Sequence, residues 1–128
     1  MSDASTASRS VAILADDLIW ATRLADAIRA AGAEPRVLRR LADLEAQLER
    51  PSEAAPVAGV IVDLTARAYD GVAAIRLASA TGAKVVAVGQ HDDLELRRVA
   101  TEAGAAKVFT YRALHEDGAR LLGRWLAE

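Results

Sequence analysis

The chain has 128 residues, 52% of them hydrophobic and 27% charged, with a formal net charge of −2. That suits one domain around one core, and the chain is too apolar to stay disordered. The acidic balance lacks the basic footprint of a nucleic-acid binder. The absence of cysteine excludes disulfides, thiolate metal sites and Cys nucleophiles.

Met1 to Arg9 is small and polar, with no apolar segment of a signal peptide, and reads as a flexible tail. A single domain over 10–128 follows. No apolar run reaches the roughly 18 residues needed to span a bilayer, so a cytoplasmic protein without a membrane partner is expected. Ser10 to Ala15 has the length of a buried strand. After Asp16 and Asp17, the residues Leu18, Ala21, Ala25 and Ile28 mark the inward stripe of a first helix, which Gly32 stops. A short strand around Arg36 to Arg39 precedes a helix marked by Leu41, Leu44 and Leu48. Pro51 to Pro56 is a loop by composition. Val57 to Val62 is a second strong buried strand, and Asp70 caps a helix with Val72, Ile75 and Ala78 inward. Lys84 to Gly89 is a strand. Asp92 or Asp93 caps the next helix, with Leu96, Val99, Ala100 and Ala103 inward. Lys107 to Tyr111 is a fifth strand, and the last helix carries Leu114, Leu121, Leu122, Trp125 and Leu126.

Continuous apolar strands alternating with amphipathic helices predict a parallel sheet covered on both faces. Five such units in this length fit the α/β flavodoxin-like (βα)5 plan, doubly wound, with strand order 2-1-3-4-5. Ligands in such sheets bind outside the carboxyl ends of the strands, where the strand order reverses. Asp16 and Asp17 follow the first strand, and Asp63 follows the core of the third. These carboxylates are expected to converge there, and a hard divalent ion, Mg²⁺, would relieve their repulsion. The other reading of Asp16 and Asp17 is that they cap the first helix.

Four segments, ILADDLIW, VIVDLTARAYDG, VAVGQ and EAGAAKVFTYRA, together resemble the response-regulator receiver domain of two-component signalling. The resemblance spans residues 10 to 127. The acidic pair after the first strand, Asp63 at the end of the third, Asp70-Gly71 at +7 and +8, and Gly104-Ala105 before the fifth strand are all in register. It implies Asp63 as phospho-acceptor. Asp16, Asp17 and Asp63 would hold Mg²⁺ with the Thr65 backbone carbonyl. It also implies protein partners, such as a histidine kinase or a downstream signalling protein, and a surface able to form a homodimer.

The departures fall on the phosphoryl-reading half of the pattern. The Ser or Thr at the end of the fourth strand is Gly89, the Lys at the end of the fifth is Tyr111, and the Pro four residues after the acceptor is Arg67. By the resemblance, the aromatic that moves with the Ser or Thr is Phe109, which has no hydroxyl left to follow. Trp20, beside the inward stripe of the first helix, and Trp125, on the last, are candidate partner contacts. These features predict an atypical, stand-alone receiver, or pseudo-receiver, that acts through protein contacts and is not an enzyme. The alternative is a phospho-accepting single-domain receiver using Asp63 and Mg²⁺. A small-molecule or flavin-binding flavodoxin-like module is more remote, because Asp16-Asp17 would repel phosphate and no G-x-G-x-x-G follows the first strand.

Overall fold

The computed structural model describes residues 9–49 and 57–128. Residues 1–8 of the expected tail and the Pro51–Pro56 loop lie outside the described residues. Five strands and five helices alternate: β1 (Ser10–Leu14), α1 (Leu18–Ala30), β2 (Glu34–Leu38), α2 (Leu41–Glu49), β3 (Val57–Asp63), α3 (Gly71–Ala80), β4 (Lys84–Gly89), α4 (Leu94–Ala103), β5 (Lys107–Thr110) and α5 (Tyr111–Ala127). All strand pairs are parallel and the order is β2-β1-β3-β4-β5, the expected doubly wound sheet. No helix among the described residues is long and apolar enough to cross a membrane.

Strand alternation divides the core into two layers. Val11, Ile13, Ile61, Val86 and Val88 face α1 and α5, where they meet Leu24, Ile28, Leu122 and Trp125. Ala12, Leu14, Val60, Val62, Val85 and Ala87 face α2, α3 and α4, where they meet Leu44, Ile75, Ala78 and Ala100. Burying each of the larger aliphatic side chains contributes about 1.5–3 kcal/mol, so both layers anchor the sheet.

Three sequence expectations change here. Leu18 is 68% exposed, and the inward stripe of α1 is Ala21, Leu24, Ala25 and Ile28. Asp17 occupies the N-cap, which turns the first helical residue outward. Trp125 is 1% exposed and therefore core, so it is not available as a partner contact. Its ring lies against the backbone of Gly59, where an added Cβ would stand 2.5 Å from Cη2. Lastly, β5 ends at Thr110. The Thr110 hydroxyl accepts from the Ala113 N–H at 3.1 Å and caps α5, so Tyr111 opens a helix instead of closing a strand.

The two lysines are spent at the amino-terminal edge of the sheet. Lys84 donates to the carbonyls of Leu126 and Glu128, and Lys107 pairs with Glu128 at 3.0 Å. Arg9 donates to the Leu126 carbonyl at 2.9 Å. These cations satisfy the carboxyl end of α5, where its dipole favours positive charge.

Candidate functional site

β1 and β3 run in register, with Leu14 opposite Val62, so both chains leave the sheet at one edge. Asp63 is the last residue of β3 and is 1% exposed. A buried carboxylate needs hydrogen-bond donors, and here one oxygen collects them. Asp63 Oδ1 accepts from the Thr65 N–H at 3.1 Å, from the Thr65 hydroxyl at 3.1 Å and from the Tyr111 hydroxyl. The Thr65 and Tyr111 hydroxyls also touch each other. Tyr69 lies below this group. Its hydroxyl stands 2.7 Å from the carbonyl oxygens of both Leu14 and Asp63, joining the ends of β1 and β3.

The other two carboxylates do different work. Asp17 Oδ1 accepts from the Ile19 and Trp20 N–H groups at 2.8 and 3.1 Å, which makes it the N-cap of α1. Asp16 Oδ2 accepts from the N–H groups of Arg67 and Ala68 at 3.0 and 3.1 Å, fixing the loop between β3 and α3 to the end of β1. Arg67 thus reaches the site through its backbone. Among the described residues, no group of three His, Asp or Glu side chains stands close enough to hold a metal ion. The expected Mg²⁺ set of Asp16, Asp17, Asp63 and the Thr65 carbonyl is thus not drawn into one cluster in this arrangement. One oxygen of each carboxylate takes local donors instead, and Thr65 contributes its N–H and hydroxyl to Asp63.

Both tyrosines stay protonated. Burial, then the hydrogen bond to Asp63, hold the Tyr111 hydroxyl well above its ordinary pKa; the nearby charges of Asp63 and Asp17 add to this, with Thr65 opposing. Tyr69 is raised chiefly by burial, then by the charges of Asp63 and Asp16. Tyr111 is therefore a neutral donor at the position where the sequence pattern calls for a cation.

Contacts outside the carboxylate hold the Tyr111 ring. Trp20 packs on it at 4.7 Å between centroids, tilted by 52°. The Arg23 guanidinium lies 5.4 Å over the Trp20 ring and donates to His115 Nδ1. Trp20 is half-buried in this contact.

Gly89, at the end of β4, faces Leu64. An added Cβ would stand 3.3 Å from Leu64 Cδ1 and 3.9 Å from Val108 Cγ1. Phe109 packs into the layer of α1 and α5, away from this contact. The neighbour of position 89 is Val108, because adjacent strand residues face opposite layers. Phe109 and position 89 therefore face opposite layers. Tyr69 and the Thr65 side chain were missed by sequence reasoning. The available signal was that the chain has only two tyrosines, both within the segments that carry the resemblance.

No family model and no curated protein matches this chain. Solved structures do match it over nearly its whole length. A response regulator from Thermotoga maritima aligns with a TM-score of 0.78 and 15% identity, over 94% of this chain and 99% of that one. A response regulator from Chloroflexus aurantiacus aligns at 0.79 and 19%, over 93% and 98%. The receiver domain of a Pseudomonas aeruginosa sensor histidine kinase, solved with magnesium in its active-site cleft, aligns at 0.77 and 17%, over 95% and 100%. The β2-β1-β3-β4-β5 sheet and these alignments give the chain the fold of a response-regulator receiver domain.

Proposed function

We propose that this chain is a pseudo-receiver, a signalling module that works through protein–protein contact and in which phosphorylation of Asp63 is not the operating switch. One observation carries this reading: the Tyr111 hydroxyl is donated to the Asp63 carboxylate, at the position where the sequence pattern calls for Lys. Phosphoryl transfer to a carboxylate needs positive charge for the transferring oxygens. The donors gathered at Asp63 Oδ1 are one backbone N–H and two neutral hydroxyls. The phenol brings no charge, the chain's lysines lie at the opposite sheet edge, and Gly89 brings no hydroxyl. A phosphoryl group carries roughly −1.5 to −2 at neutral pH, so it would meet little compensation here.

The phospho-accepting alternative draws on the placement of Asp63 at the carboxyl end of β3 and on neighbours described as a BeF3-activated receiver domain and a phosphorylated response regulator. One experiment separates the two. Backbone amide shifts are recorded with Mg²⁺, with and without beryllofluoride, in the wild type and in Gly89→Thr/Tyr111→Lys. The pseudo-receiver reading expects no propagated response across α4 and β5 in the wild type, and a larger one in the double variant. A full wild-type response over that face would overturn it.

A further inference from the structure

We infer that Trp20, Arg23 and His115 form a proton-sensitive clamp that holds the Tyr111 ring against Asp63. The inference rests on the reading that Tyr111 caps Asp63, and it adds what controls that cap. Tyr111 and His115 are four residues apart on α5, and Trp20 and Arg23 are three apart on α1. Each pair therefore shares one helix face. The contacts run without a gap from His115 to Arg23, from Arg23 to the Trp20 ring, from Trp20 to the Tyr111 ring, and from the Tyr111 hydroxyl to Asp63. Asp117, with φ −149° and ψ 35°, kinks α5 just beyond His115. Tyr111 and His115 thus lie together on the segment before the kink.

The end of this chain is chemically one-sided. Arginine is always protonated and only donates, so His115 Nδ1 accepts from Arg23 only as a neutral imidazole with its proton on Nε2. Protonating His115 removes that acceptor and sets two cations face to face. His115 is exposed, so solvent protons reach it. The groove around it contains two charged groups from α1, Arg23 and Asp26, and Asp26 is held by Arg29 at 3.2 Å. On α5 itself, Arg112 lies one turn before His115 and pairs with Glu116 at 3.3 Å. Arg23 is thus the charged group that responds. When it leaves, the Trp20 face loses its cation and the Tyr111 ring loses its brace.

The test uses the full chain with ¹³C-labelled tyrosine rings, which give two spin systems assigned through Tyr69→Phe. Acidification runs from about pH 8 to about pH 5, the range in which imidazoles titrate. The Tyr111 ring resonances are expected to shift with the same midpoint as the His115 ring protons. His115→Gln, which keeps an acceptor for Arg23, should abolish that shift, and His91→Gln should leave it intact. A Tyr111 ring that stays fixed while His115 titrates would overturn the clamp, as would a shift that survives in His115→Gln. The beryllofluoride response at pH 8 is a separate readout. A full response there overturns the pseudo-receiver reading and leaves the clamp standing, whereas a fixed Tyr111 ring overturns the clamp alone.

Discussion

Replacing Tyr111 by Phe removes one hydroxyl and little else, so it isolates the bond that distinguishes this site. The hydroxyl donates to a carboxylate oxygen in a site where Asp63 is 1% exposed. Hydrogen bonds to charged groups contribute about 1.5–3 kcal/mol. Tyr111 is only half-buried, and Thr65 keeps two donors on Asp63, so the cost should fall at or below the lower end, at about 1–2 kcal/mol. Asp63→Ala removes the acceptor for all three donors and should cost more. The decisive quantity is the coupling. If the two groups stabilise the fold through each other, the double variant loses less than the sum of the singles by about 1 kcal/mol. Urea unfolding in a chelating buffer measures all four corners, and with a slope of about 1–3 kcal/mol per molar the differences are readable as midpoint shifts. The sign of a third variant separates two physical pictures. Mutual repulsion among Asp16, Asp17 and Asp63 would make Asp63→Asn stabilising, whereas a carboxylate filled with donors makes it destabilising. Additivity of Tyr111→Phe and Asp63→Ala to within about 0.3 kcal/mol would show that the two groups do not stabilise the fold through each other.

Both tyrosines have raised pKa values, from an ordinary value of 10.0, so their contribution is complete below about pH 10 and is lost as pH rises further. Urea midpoints should therefore fall more steeply above pH 10 in the wild type than in Tyr111→Phe. Gly59→Ala places a methyl 2.5 and 2.8 Å from Trp125 Cη2 and Cζ2 and should cost about 1–3 kcal/mol, with Trp125→Phe recovering part of it in thermal unfolding. Asp17→Ala should cost about 1 kcal/mol, as expected for a lost N-cap, and Asp17→Asn should cost far less because Asn caps equally well.

The sheet was legible because parallel strands buried on both faces read as unbroken apolar runs. Val57–Asp63 and Lys84–Gly89 fall within a residue of their expected bounds. The switch point followed from that order, and with it the placement of Asp16, Asp17 and Asp63 at one edge. The N-cap role of Asp17 was legible as one of two readings of the acidic pair. The local donors that Asp16 and Asp63 take were not, because they depend on distances of an ångström that sequence spacing does not encode. Tyr111 shows the same limit. Its register was readable, yet Thr110 ends the strand by capping α5, and that half-turn aims the phenol at Asp63. Trp125 reads as a candidate partner contact until Gly59, far away in the chain, is seen to make room for its ring.

A switch needs an interaction that exists in one state and not in the other, because only differential interaction energy moves an equilibrium between conformers. A cation facing Asp63 would be drawn to whatever negative charge the site carries, and more strongly as that charge grows. The Tyr111 phenol behaves differently. It is neutral, burial and the carboxylate keep it protonated, and its one proton is already donated to the unmodified Asp63. The contact that a modified site would have to create is present beforehand, so modification can gain little from it. Each tenfold change in a two-state ratio requires about 1.4 kcal/mol of difference. A bond of about 1–2 kcal/mol made in both states supplies almost none of it. On the pseudo-receiver reading, the phenol therefore fixes the site in one arrangement, and a signal would enter through groups that move the phenol itself. Trp20, which packs on the Tyr111 ring, and Arg23 behind it are the residues in contact to do so.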